Sequence, residues 1–291
     1  MLNCTINIFP SVNIWLCICG FSMARRGLIN LPSGEQIFVK IGTEDNSKQW
    51  AKKEVAVYRY LAANSYTSIP ELISTNADES SFALEALTRE DGWDWSDAWT
   101  TERLQATVTA MDELSELRPQ KEDWMSMGQI ALDESRDGWR ALSQSPALQR
   151  VLLDRLQAAG EPDIGDNLDF DDEVSRSSQF VFRNDTLVHY DVRADNCAWN
   201  QSQNQVKFVD WNWTQYGDAR IDTAAMLTHV QKAGLDISQS QAERLDASAL
   251  QWMAGFWLKA AATPIWQGGP AHLRDFQLQS GITALHLVSK A

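Results

Sequence analysis

The sequence predicts a two-lobed α+β fold, with a small sheet-rich N-terminal lobe carrying one helix (residues 1–87) and a larger, mainly helical C-terminal lobe (residues 88–291). Three observations predict it. Short apolar runs broken by turn formers fill the first 87 residues, and one stretch among them has helical spacing. After Leu87 the apolar residues recur at three- and four-residue intervals over long spans. With 44% hydrophobic residues in a 32.8 kDa chain, there is enough apolar surface to bury a sizeable core.

The opening, MLNCTINIFPSVNIWLCIC, is apolar but has no basic start. Asn3, Asn7, Pro10 and Asn13 interrupt it well short of the ~20 apolar residues a membrane helix needs, so it reads as a leading strand or extension, with a cleaved signal peptide as the alternative. From Arg25 to Ile41 two strands are expected around the turn formers of Leu31-Pro32-Ser33-Gly34, the second being QIFVKI at 36–41. A helix follows from Asn46 to Asn64, where Trp50, Val57, Tyr58 and Leu61 share a face and Asn46 or Ser47 can cap the start. Pro70 restarts the chain, and Leu72–Thr75 and Phe82–Leu87 flank the polar turn NADESS as a hairpin. Beyond it, Leu104, Val108, Met111, Leu114 and Leu117 form one helical stripe. Short strands are expected near 185–189 and 205–210, and helices at 222–233, 241–262 and 274–290. The natural ligand site of two such lobes is the cleft between them.

Charge and cysteine usage narrow the class. A formal charge of −14 repels nucleic-acid backbones and anionic lipid headgroups, so neither is an expected partner, while a cationic small molecule would be favoured. Cys4, Cys17, Cys19 and Cys197 form neither CxxC pairs nor a disulfide framework, which fits a reducing cytoplasm. His189, His229, His272 and His286 have no zinc-hydrolase spacing, and no GxSxG elbow occurs.

The chemistry concentrates in LVHYDVRADNCAWN, residues 187–200, followed after a polar turn by VKFVDW, residues 206–211. A loop and hairpin there would gather Asp191, Asn196 and Asp210. Phosphoryl transfer needs such a set: one carboxylate facing the attacking hydroxyl, and a second carboxylate with an amide oxygen as hard ligands for Mg²⁺. Upstream, Glu54 lies four residues from both Trp50 and Tyr58, on the helix face turned to the core. A carboxylate there is costly unless paired, and Lys40, at the end of a strand, is the candidate partner. Lys52 and Lys53 are expected to point elsewhere.

His189-x-Asp191-x-x-x-x-Asn196, with Asp210-Trp211 fourteen residues past the asparagine, resembles the catalytic and metal loops of the aminoglycoside and choline phosphotransferases, which share the protein-kinase-like fold. The resemblance implies a kinase using ATP and Mg²⁺. It makes Asp191 the base, Asn196 and Asp210 the Mg²⁺ ligands, His189 a brace of the loop, and Asp222, after Gly217-Asp218, a structural support. It also makes Lys40 and Glu54 the grip on the α and β phosphates, puts Ser22 in a nucleotide loop of a single glycine, and has Glu85 to Leu87 offer backbone groups to adenine. Arg193 and Asp195 stand where the family commonly has a His-Pro-Gly run; Arg193 could brace a phosphate, a salt bridge to a neighbouring carboxylate being the plainer role. The implied acceptor is a hydroxyl of an aminoglycoside or related amine-bearing substrate, as in antibiotic resistance, or of choline or another small alcohol. A catalytically silent nucleotide-binding module is the reading from a different class. Trp93, Trp95, Trp99, Trp211, Trp213, Trp252 and Trp257 divide between core packing and cation–π walls for an ammonium group. Oligomeric state is not readable from these residues.

Overall fold

The computed structural model describes residues 4–5, 14–17, 24–118, 132–237, 241–266 and 269–290. The chain divides into two compact units, Met1–Ala131 with Leu187–Tyr216, and Leu132–Thr186 with Gly217–Ala291. The boundary expected near residue 87 falls inside the first of these, so lobe and compact unit are different divisions of the chain.

The first unit is built on an antiparallel sheet of β1 (Cys4–Thr5), β2 (Ile14–Cys17), β3 (Arg25–Asn30), β4 (Gln36–Ile41), β5 (Leu72–Thr75) and β6 (Ser81–Glu85), in the order β1-β2-β3-β4-β6-β5. The turn between β3 and β4 is the expected one: Gly34 takes φ 89°, which suits a residue without Cβ, and its N–H donates to Leu31 O at 2.9 Å. Register then follows, with Arg26 opposite Lys40 and Leu28 opposite Phe38. Helix α1 (Asp45–Ala63) packs on β4, β5 and β6 through Ala51, Val55, Tyr58 and Leu61, all fully buried. Its N-cap is Glu44, ahead of the expected Asn46 or Ser47; the Ser47 hydroxyl accepts the backbone N–H of Glu44 at 2.9 Å. Lys53 also differs from expectation: it is only 1% exposed, and burial lowers its ammonium to about 8 against the opposing pull of Glu54.

After β7 (Trp93–Asp94), helix α2 (Thr101–Glu116) starts on the Thr100 hydroxyl, which accepts the Arg103 N–H at 3.2 Å. Its Leu104, Val108 and Leu114 are buried, as the stripe predicts. The chain returns to this unit through β8 (Thr186–Val188), and β9 (Cys197–Asn200) and β10 (Gln205–Phe208) form the expected hairpin, with β7 on the far side of β9. β11 (Gln215–Gly217) closes the segment.

The second unit holds α3 (Gly138–Ser143), α4 (Pro146–Ala158), α5 (Pro162–Asn167), α6 (Phe170–Ser177), α7 (Ala219–Lys232), α8 (Ala247–Ala262) and α9 (Leu273–Val288). α8 touches α3, α4, α6, α7 and α9. Where it meets α3, Trp139 lies so close to Gly255 that a Cβ there would sit 2.4 Å from the indole, and the indole N–H donates to Gln251 O at 2.7 Å. α8 begins later than expected because Asp246 caps it, accepting the Ala249 N–H at 3.0 Å. Among the described residues no helix is long and apolar enough to cross a membrane.

Candidate active site

Four segments of the first unit carry the candidate residues: the end of β4, the middle of α1, and the two turns flanking the β9–β10 hairpin. β4 delivers Lys40, and α1 presents Glu54 one turn beyond Trp50. Both are buried, at 4% and 1% exposure, and the ammonium donates to the Glu54 carboxylate. The pairing read from helix spacing is therefore present. The same ammonium donates to Asp210 Oδ1 at 2.7 Å, which joins the strand, the helix and the turn after β10 at one cation.

Asp210 has φ 65° and ψ 59°, the left-handed region an L-residue enters only at a cost of roughly 1–3 kcal/mol. Asn212, two residues on and 8% exposed, donates its side-chain amide to the same Oδ1. Burial would raise the Asp210 carboxyl, but the charges of Lys40, Arg26 and Arg193 together hold it well below the usual carboxylate range. Glu54 shows the opposite balance: burial lifts it to about 7 despite Lys40, and the negative charge of Asp210 adds to the lift.

The loop after β8 places Asp191. The buried His189 ring ties this loop to the chain just after β10: Nδ1 accepts the Asp191 N–H at 3.2 Å and Nε2 faces Val209 O at 3.0 Å. A carbonyl only accepts, so the proton sits on Nε2. Burial holds the ring neutral by lowering it to about 4. Tyr190 between them is left-handed at φ 61°. The Asn196 side-chain amide N–H groups donate to Asp191 O at 2.9 Å and Asp191 Oδ2 at 2.8 Å, and Val209 N–H donates to Asn196 O at 3.0 Å. With its nitrogen so committed, Asn196 has its side-chain oxygen left to offer a ligand. Burial, reinforced by Asp210 and Asp195, raises Asp191 to about 7 against the pull of Arg193. Arg193 Nε lies 3.0 Å from Asp195 Oδ1 and 3.3 Å from Asp191 Oδ1, the neighbour salt bridge considered for it.

A cavity of about 560 Å³ lies within this unit, its lining including the polar Arg26, Lys40, Glu54, Arg193, Asn196 and Asp210 and the apolar Leu28, Phe38, Phe82, Leu84, Leu87, Trp95 and Val209. Glu85 and Leu87 also line it. The Glu85 N–H donates to Glu71 O at 2.9 Å, its carboxylate accepts Lys207 Nζ at 2.6 Å, and Leu87 O accepts the Trp95 indole N–H at 2.8 Å. Ser22 lies outside the described residues. Asp222 lies in the second unit, 3% exposed in the first turn of α7, behind the cap Asp218. Of the seven tryptophans named above, Trp93, Trp99, Trp211, Trp252 and Trp257 are buried, Trp213 is half-buried, and Trp95 lines the cavity.

Three residues outside the sequence reading join the set. Arg103, fully buried in α2, donates from Nη1 to Ser96 O and Ala98 O, both at 2.8 Å, and from Nη2 to Cys197 O at 2.7 Å and Ala194 O at 3.2 Å. It thereby holds the turn that carries Asn196, and its guanidinium packs 4.5 Å from the Trp99 ring centre. Only a full-length arginine buried on an apolar helix stripe hints at this from sequence. Asn212 and Arg26 are the others; the turn at 31–34 sets the register that puts Arg26 opposite Lys40.

The donors suit a divalent cation with a phosphate ligand: a carboxylate kept ionised, an amide oxygen, and cations beside them. Comparison with known proteins supports phosphoryl transfer. The chain matches the Phosphotransferase enzyme family over residues 25–256. No curated protein sequence matches it. Among solved structures, it is similar to an aminoglycoside phosphotransferase from Alicyclobacillus acidocaldarius, 12% identical, covering 92% of this chain and 90% of that one with a TM-score of 0.60. It is also similar to the choline kinase LicA from Streptococcus pneumoniae, at 10% identity, 92% of each chain and a TM-score of 0.55. A third is a thermostable aminoglycoside phosphotransferase mutant in ternary complex with AMP-PNP and hygromycin B, at 15% identity, 98% and 96% coverage and a TM-score of 0.56. At such identities these structures speak for the protein-kinase-like fold, and the family match over most of the chain speaks for the chemistry. The chain belongs to the phosphotransferase enzyme family, as a kinase whose acceptor is an alcohol group.

Proposed function

We propose that the chain transfers the γ-phosphoryl group of Mg·ATP to a hydroxyl of an aminoglycoside or related amine-bearing small molecule, with Asp191 as the base. The observation that carries this is the joint placement of Lys40, Glu54 and Asp210 on one hydrogen-bonded cluster, with Asn196 bonded to Asp191 and its backbone oxygen accepting the N–H of Val209, next to Asp210. A half-buried carboxylate raised to about 7 is suited to take up a proton near neutral pH. In this reading Asp191 aims the substrate hydroxyl and accepts its proton, while His189 and Asn196 fix the backbone and carboxylate of that base. Lys40, held by Glu54, meets the α and β phosphates, and the apolar wall from Leu28 to Trp95 receives the purine. Asp210 and the Asn196 side-chain oxygen are the two ligands this chain would give Mg²⁺, whose part when bound is to neutralise phosphate charge. Asp222 is assigned a structural part within α7.

Support for an amine-bearing acceptor comes from the net charge of −14 and from relatives whose structures carry the names aminoglycoside phosphotransferase and choline kinase. Presence of Asp191, Asn196 and Asp210 together argues against a silent nucleotide-binding module. The test is a panel of aminoglycosides, choline, other small amino alcohols and a serine peptide, incubated with Mg·ATP and read by mass spectrometry. A gain of one phosphate on an aminoglycoside supports the proposal, one confined to choline or another small alcohol replaces the acceptor class, and one on the peptide alone defeats the small-molecule reading.

A further inference from the structure

We infer that Arg26 is a second phosphate-binding cation, working beside Lys40 on the neighbouring strand; the inference rests on the nucleotide reading above and extends it to a residue that reading does not use. The sheet itself sets the arrangement. Arg26 on β3 is the register partner of Lys40 on β4, and Leu28 is the partner of Phe38. Directly opposed residues of an antiparallel pair share a face, with Cβ atoms about 5 Å apart. Residues two apart along a strand share it as well, about 7 Å further on. One face therefore carries an apolar rung, Leu28 with Phe38, followed by a cationic rung, Arg26 with Lys40, and all four line the same cavity. A nucleotide has the same order, an apolar base at one end and anionic phosphates at the other.

Charge counting leads to the same residue. Two cations placed opposite each other repel, and such a pair is held only where anions meet it. Glu54 and Asp210 do so, since both accept from Lys40. The single ammonium of Lys40 is thus shared between two carboxylates. Arg193 stands within ion-pair distance of two further carboxylates, Asp191 and Asp195. Arg26 adds a further positive charge opposite Lys40, in a cavity that Arg89 also lines. A planar guanidinium there can also give two parallel N–H groups to phosphate oxygens, which an ammonium cannot.

The experiment compares adenosine, ADP and AMP-PNP binding to the full chain by calorimetry, with Mg²⁺ present, for wild type, Arg26→Gln and Arg26→Lys. Loss of a charge-assisted contact predicts that Arg26→Gln weakens AMP-PNP by about tenfold or more. ADP should weaken less and adenosine should stay within about twofold of wild type, while Arg26→Lys should recover part of the AMP-PNP loss. Unchanged adenosine binding also reports that the variant is folded around the cavity. Wild-type binding of AMP-PNP that Arg26→Gln does not reduce, or an equal loss for adenosine, overturns the inference alone. A wild-type chain that binds none of the three overturns the nucleotide reading and this inference with it.

Discussion

Replacing Lys40 by Met removes the cation shared by Glu54 and Asp210 while keeping an unbranched side chain of similar length. The consequence depends on pH in a way the site determines. Burial already lifts Glu54 to about 7 from an ordinary value of 4.5, with Lys40 opposing the rise. A carboxyl whose folded value exceeds its unfolded value binds protons more tightly when folded, so stability falls as pH rises between the two values, at about 1.4 kcal/mol per pH unit, and is level above the folded value. In the wild type this decline is over near pH 7. Without Lys40 the folded value moves higher, the decline continues past pH 7, and the variant should lose about a further 1.4 kcal/mol between pH 7 and 8 that the wild type does not. Urea unfolding of both proteins at pH 6, 7 and 8 measures this directly, and the difference in stability should widen with pH. A difference that stays constant across that range would refute control of Glu54 ionisation by Lys40.

Other consequences are equally accessible. The turnover of the wild type, as kcat/KM, should rise with pH through about 7 and then level, because Asp191 and Glu54 must both lose protons to act; a profile already level at pH 5.5 would contradict this. Asp210→Ala should weaken Mg·ATP binding by at least tenfold, about 1.4 kcal/mol, read by nucleotide titration with and without EDTA. Arg103→Met leaves the carbonyls of Ser96, Ala98, Ala194 and Cys197 without their donor. At about 1–3 kcal/mol for each that stays buried and unmet, a large fall in melting temperature is expected, and an unchanged melt would show that the arginine does not hold the Asn196 turn. Gly255→Ala drives a methyl group into Trp139 and should cost about 1–3 kcal/mol in thermal unfolding, a check on the helical unit alone.

Local signals explain most of what the sequence foretold. The Pro-Gly turn, the helix stripe around Tyr58 and the stripe around Leu104 each act within a few residues, and each appears in the structure. Glu54 was identifiable because a carboxylate on an apolar stripe demands a cation, and the preceding strand ended in one. The expected loop and hairpin placed Asp191, Asn196 and Asp210 on one stretch of chain, and the family resemblance supplied their roles. The rest depends on contacts remote in sequence or on competing caps. Arg103 reaches Ala194 and Cys197 from 91 and 94 residues away, which no local pattern encodes. Asp246 won the start of α8 over the earlier apolar residues by offering its carboxylate to a free N–H. Lys53 is buried although Lys52 beside it is only half-buried, because adjacent helix positions face about 100° apart and the packing surface covers one of them. Asn212 and Arg26 gained meaning only when tertiary contact or strand register placed them against Asp210 and Lys40.

Central to the account is a carboxylate at position 191 that serves chemistry and leaves nucleotide binding to other groups. Comparing Asp191→Asn with wild type tests this in one pair of measurements, initial rate on the best acceptor and affinity for Mg·AMP-PNP. The account predicts a fall in kcat of at least a hundredfold, the usual scale of a lost general base, with nucleotide affinity within about twofold of wild type. Turnover undiminished by the substitution would contradict it.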